Sequence, residues 1–231
     1  MSLAQPASAA PSCRPPPSVA PTLDDGWRAA ADPVVLSALT TSTVDLAVWR
    51  RPVPDQVTRT LATWAETKPA GFERLIAPTR DALAPAVAGL PVAARAWVHD
   101  DLADLIERLG SLAAAPRLRV WFGPVRGDQC RKFHVDYVRY RLITTYVGPG
   151  TEWVPPGAVA RAALEHPPDC PCDANRAIVP DGAAVQHAAI GDVLVMKGAL
   201  HPDGRGVVHR SPPIAGTGVT RVVLIASAEA R

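Results

Sequence analysis

Apolar positions recur with a helical period in the first half of the chain and with a strand period in the second. Leu102, Leu105, Ile106 and Leu109 stand at i, i+3, i+4 and i+7, which predicts a helix with Gly110 placed to end it. Val57, Leu61 and Trp64 predict a second helix, with Asp55 as its N-cap. Between the two, Val44 to Trp49 (VDLAVW) alternates weakly and reads as a short strand, and Pro52, Pro54, Pro69 and Pro78 punctuate the connections. After Pro116 the period becomes 2: Leu118, Val120 and Phe122 alternate with Arg119 and Trp121, and Tyr140 to Val147 is rich in Tyr, Ile and Thr. Further strands are expected at Val185–His187, Asp192–Met196, Gly206–His209 and Thr220–Ala226. Short strands spaced by Gly and Pro turns, without a long crossover helix, predict an antiparallel sandwich or jelly roll.

The expected fold class is therefore α+β: a double-stranded β-helix (jelly roll, cupin-like) over residues 116–231, with a mainly helical segment, residues 23–115, packed on its outside. Residues 1–22 are Pro, Ala and Ser with few large apolar side chains, a composition that predicts a disordered tail.

Composition narrows the partners. With 48% apolar residues, the 231-residue chain has the material for a core. A net charge of +2 without a basic stripe speaks against nucleic acid as a ligand. No apolar stretch approaches the roughly 20 residues of a membrane helix, and the N-terminus does not read as a signal peptide, so a cytoplasmic protein is expected. The four cysteines, at 13, 130, 170 and 172, are too few and too unevenly spaced for a disulfide framework. Cys170-Pro171-Cys172, with His166 nearby, reads either as a solvated loop of reduced thiols or as part of a zinc site. His99, Asp100 and Asp101 read as a solvated N-terminal helical turn.

The chemistry is carried by the stretch FHVDYVRYRLITTYVGPGTEW. His134 and Asp136 are two apart in an extended segment, so their side chains project to one side. Two imidazoles and one carboxylate on one face of a metal leave the opposite positions open, as a mononuclear iron oxygenase requires. His209, at the end of GVVH, is the candidate third ligand. Arg221, twelve residues on, faces the same side as Val223 and Ile225, and its planar fork suits the distal carboxylate of a dicarboxylic acid. Thr144 and Tyr146 are candidate co-substrate contacts, as is Arg141.

These residues resemble the motif order of iron(II)- and 2-oxoglutarate-dependent dioxygenases, above all the prolyl-hydroxylase-like branch. The order runs through His134-Val135-Asp136, Arg141 with Thr144, Gly148-Pro149-Gly150-Thr151 with Trp153, Gly191-Asp192-Val193, and His209 with Pro212, Gly218 and Arg221. Val223 stands where that pattern usually has Ser. The resemblance implies Fe(II) held by His134, Asp136 and His209, 2-oxoglutarate gripped by Arg221, and hydroxylation of a small molecule or peptide side chain. Over most of its length the chain is also similar to a bacterial family called domain of unknown function 1826, through CRKFHVDYVRYRLITTYVGPGTEW, GDVLVMKG and RGVVHRSPP. That second likeness implies a metal context and keeps open a rival reading, a zinc-binding or zinc-homeostasis accessory protein without turnover.

Overall fold

The computed structural model describes residues 26–228, and the tail expected over residues 1–22 lies outside them. The elements run β1 (Trp27–Ala30), β2 (Leu46–Trp49), α1 (Asp55–Glu66), β3 (Phe72–Ile76), α2 (Ala84–Val87), α3 (Val92–Ala113), β4 (Leu118–Val125) and β5 (Tyr140–Val147). They continue as β6 (Glu152–Val154), α4 (Ala162–Glu165), α5 (Pro171–Ile178), β7 (Gln186–His187), β8 (Val193–Lys197), β9 (Val208–Arg210) and β10 (Arg221–Ala228). Seven strands make one sheet in the order β1-β2-β8-β5-β10-β4-β3, antiparallel except for the β1–β2 pair. A second antiparallel sheet has the order β7-β6-β9. The architecture is mixed α/β, with one large sheet and several helices. No helix among the described residues is long and apolar enough to cross a membrane.

Both faces of the large sheet are covered, which explains why its central strands carry so few polar positions. On one face, Val57 and Leu61 of α1 and Val98, Leu102, Leu105, Ile106 and Leu109 of α3 share a core with Phe122, Leu142, Tyr146 and Leu224. On the other, Ile143, Leu194 and Met196 pack with Trp27, Trp153 and Val207, so the small sheet is stapled to the large one. Segment 23–115 is more than a helical cover, because it supplies β1, β2 and β3 to the edges of the large sheet. In β2, Ala47 enters the helix-side core while Leu46 and Val48 enter the opposite one. A strand buried on both faces has little polar alternation to betray it.

Three expectations for the helices are corrected. Helix α3 runs through Gly110 and stops at Ala113, followed by Ala114 in the left-handed region at φ 46°. Gly110 is small for a different reason: a Cβ there would lie 2.7 Å from the ring carbons of Pro78. Asp100 and Asp101 lie in mid-helix, not in a solvated first turn; Asp100 is exposed and pairs with Arg80, and Asp101 turns into the core. Asp55 is the first residue of α1, the cap position falls on Pro54, and no side-chain cap bond forms.

Gly150 fixes the approach of the two strands next to the cleft described below. A Cβ at this position would lie 2.1 Å from the Ala188 carbonyl oxygen. Since backbone is the obstacle, Gly150→Ala is expected to push β6 and β7 apart and to cost about 1–3 kcal/mol, read as a lower urea midpoint at unchanged slope.

Candidate metal centre

His134 and His209 are brought together by backbone pairing. Each donates its N–H to the other's carbonyl at 3.0 Å, an isolated antiparallel bridge that extends the small sheet beyond β9. The paired backbones place the two imidazole centroids 4.7 Å apart. Asp136, two residues along, swings its carboxylate into the same space: Oδ1 is 3.5 Å from His134 Nε2 and Oδ2 is 3.2 Å from His209 Nε2. The three potential ligand atoms all lie within 4.8 Å of one another. His209 is buried and His134 and Asp136 are half-buried, so the group opens to one side.

The far nitrogens decide which way the rings are wired. His134 Nδ1 is 3.0 Å from the Lys132 carbonyl and His209 Nδ1 is 3.1 Å from the Val207 carbonyl. A carbonyl only accepts, so each Nδ1 carries the proton, and in the neutral ring each Nε2 turns a lone pair on the carboxylate. Three electron-rich atoms facing one another need a cation between them, either a proton or a metal ion. Without a metal, His134 is the member that takes a proton. Burial works against a charged His134, but hydrogen bonds to Asp136, Cys130 and the Lys132 carbonyl outweigh it and push the imidazole up to about 10. Burial likewise opposes ionisation of Asp136, yet His134, His209 and Arg141 hold its carboxyl far below the usual carboxylate range.

Beside the three ligands lies a cleft with about 80 Å³ of space, bordered by Ile143, Thr151, Arg221, Val223 and Ile225. The Arg221 guanidinium is buried: Nε donates to the Pro149 carbonyl at 2.8 Å, and one terminal nitrogen reaches Thr145 Oγ1 at 3.4 Å and Thr151 Oγ1 at 3.5 Å. Among the described residues no carboxylate forms a salt bridge with it. Burial therefore brings its pKa down to about 10, offset in part by the more distant charge of Glu152. The expected contacts Thr144 and Tyr146 are not in this cleft. Strand β5 sends Tyr140, Leu142 and Tyr146 to the helix-side core, whereas Arg141 and Ile143 line the cleft. Thr144 Oγ1 is buried without a hydrogen-bond partner, and the Tyr146 hydroxyl donates to Asp101 at 2.6 Å. Arg141 does face the site, but its Nε is bonded to Asp136 Oδ2 at 2.6 Å.

A family model described as "Protein of unknown function (DUF1826)" matches residues 30–226. The chain belongs to this family. No curated protein matches the sequence. Among solved structures, the DUF1826 chain is similar to a Pseudomonas putida prolyl-4-hydroxylase, at 13% identity and a TM-score of 0.45 over 86% of this chain and 98% of that one. It is also similar to the rice dioxygenase for auxin oxidation, at 15% identity and a TM-score of 0.41; the match covers 77% of this chain and 64% of that one, just under two thirds of the rice enzyme's length. A third likeness is to a full-length Neurospora crassa protein solved in complex with alpha-KG, at 14% identity and a TM-score of 0.41 over 81% and 75% of the two chains.

Other side chains weighed from the DUF1826 sequence fall outside the cluster. Cys170 and Cys172 are exposed and join no group of metal-ligating side chains among the described residues; Cys130 is exposed too, at the edge of the cleft. His201, in the turn after β8, is buried, with Nε2 2.8 Å from the Tyr140 hydroxyl and Nδ1 accepting the Asp203 N–H. Asn175 of α5 was not foreseen. Its Oδ1 accepts the Phe133 N–H at 2.8 Å and its Nδ2 donates to the Arg131 carbonyl at 3.0 Å, holding the segment that leads into His134.

Proposed function

We propose that this protein is a non-haem iron(II)- and 2-oxoglutarate-dependent dioxygenase that hydroxylates a small molecule or a peptide side chain. The observation that carries the reading is the pair of imidazoles whose Nδ1 atoms are tied to backbone carbonyls, leaving both Nε2 atoms aimed at Asp136. Two nitrogens and one carboxylate oxygen on one side, with a cleft on the other, is a donor set for a divalent metal that keeps positions open. In this reading the two facing sheets are the halves of a jelly roll, residues 116–231 form the metal-binding domain, and residues 23–115 brace it.

When bound, iron(II) and 2-oxoglutarate would supply oxygen activation: one oxygen atom goes into a C–H bond of the substrate and the other into succinate, with release of carbon dioxide. The chain's own residues bind and orient. His134, Asp136 and His209 hold the metal. Arg221, buried and without a salt-bridge partner among the described residues, supplies a two-pronged cation for the distal carboxylate, and Thr145 and Thr151 fix its fork. Ile143, Val223 and Ile225 make the wall that excludes water.

Anaerobic addition of iron(II) and 2-oxoglutarate to the metal-free protein tests this. A visible charge-transfer band, followed by succinate release in air, is expected; stoichiometric zinc with neither signal would instead support the accessory-protein reading. Arg221→Ala is expected to weaken 2-oxoglutarate binding at least 100-fold, since a buried charge-assisted fork contributes about 3 kcal/mol or more, while iron(II) affinity stays within a few-fold. Equilibrium titration of each ligand separates the two effects.

A further inference from the structure

Resting on that reading of the metal centre, we propose that Arg141 is a positioning residue, which together with Ser227 fixes the orientation of the Asp136 carboxylate towards the two histidines.

Asp136 needs an external brace. It lies in an irregular stretch between the His134 bridge and the start of β5, so no strand ladder sets the direction of its side chain. Arg141 sits directly opposite Ser227 in the β5–β10 register, and both turn towards the cleft side of the sheet. Its guanidinium bridges two partners at once: Nε donates to Asp136 Oδ2 at 2.6 Å and a terminal nitrogen donates to Ser227 Oγ at 2.6 Å. Ser227 is buried and belongs to the longest-paired strand of the sheet, so the guanidinium is anchored at its far end before it meets the carboxylate.

The consequence concerns how the carboxylate faces the two rings. Oδ2 accepts from Arg141 and lies 3.2 Å from His209 Nε2, and Oδ1 lies 3.5 Å from His134 Nε2, so each oxygen is set against one ring. A carboxylate free to rotate would lose its alignment with the two Nε2 atoms and so part of its worth as a ligand. The planar fork prevents this, which a single point charge on a flexible stem does not.

Two effects of Arg141 oppose each other, and this makes the proposal testable by sign. A cation next to the site repels a metal ion, so removing it should tighten binding if charge were its main contribution. Removing an outer partner that orients a ligand loosens binding, typically by 10–100-fold.

Cobalt(II) titration of the metal-free full chain measures both affinity, by chelator competition, and coordination, by the visible absorption of the bound ion. Arg141→Gln is expected to bind about 10–100-fold more weakly, with a changed cobalt spectrum and an unchanged far-ultraviolet circular dichroism. Arg141→Lys, which restores the charge without the fork, should keep the altered spectrum. Ser227→Ala should shift the spectrum in the same direction by a smaller amount, and it decides the matter alone if the arginine variants do not fold. Wild-type affinity and spectrum in the variants, or tighter binding by Arg141→Gln, would overturn the proposal. Failure of the wild-type chain to bind cobalt at all would overturn the metal-centre reading instead.

Discussion

His209→Ala is expected to abolish metal binding at micromolar concentrations while leaving the protein folded. The imidazole is one of three ligands, yet the strand around it does not depend on the ring: Trp153 pairs with His209 in the small sheet, and the bridge to His134 runs through backbone N–H and C=O groups that alanine retains. If binding of a divalent metal by four ligands is worth about 10–16 kcal/mol, each contributes roughly 3–4 kcal/mol, and loss of one lowers affinity by a factor on the order of 100 to 1,000. A thermal readout makes the same point. Metal at 100 times its dissociation constant should stabilise the wild-type protein by about 2.7 kcal/mol and raise its melting temperature by roughly 5–11 °C, since each kcal/mol moves a domain of this size about 2–4 °C. The variant should show no such shift. A variant that melts normally, and whose melting point still rises with metal, would mean that the ion sits elsewhere.

The convergence of side chains at the candidate site is legible in the sequence as far as local geometry carries it. His134 and Asp136 were readable because an i, i+2 pair in extended chain shares a side, and Arg221 because β10 keeps its alternation from Arg221 through Val223 to Ile225. The same rule, applied with the correct phase to β5, would have excluded Thr144 and Tyr146. Arg141 lines the cleft, and residues an odd number of positions from it point the other way, so Thr145 is the residue that reaches Arg221. The error arose because β5 is buried on both faces and its two sides look alike in composition. Thr151 contacts Arg221 from a turn, and Asn175 holds the His134 segment from a helix 41 positions further along, so neither leaves a periodic trace. In the fold, α3 was readable from its core stripe, but not its true length, since Gly110 reads as a stop unless the Pro78 ring beside it is known.

The largest loss of stability is expected at a position outside the site, Asp101. Its carboxylate, buried on α3, accepts from both terminal nitrogens of Arg51, one of them at 2.9 Å, and from the Tyr146 hydroxyl at 2.6 Å. Burial opposes a charged Arg51, but the hydrogen bond and charge of Asp101 more than restore it, and burial drives the Tyr146 phenol well above its ordinary range. This triad ties α3 to β5 and to the segment after β2, whose Trp49 ring lies 5.0 Å from the Arg51 guanidinium carbon. Asp101→Ala would strand a buried cation and a buried hydroxyl together, at a cost of about 3–5 kcal/mol. The melting temperature should fall by roughly 6–20 °C. The cause is the unpaired charge rather than a missing bond, and that has a testable corollary. Replacing all three partners by apolar residues, Arg51→Met, Asp101→Leu and Tyr146→Phe, should destabilise less than Asp101→Ala alone, because no polar group is then left buried without a partner. A triple variant that melts below the single one would show that the network's own bonds, and not the penalty for breaking them singly, hold the helix to the sheet.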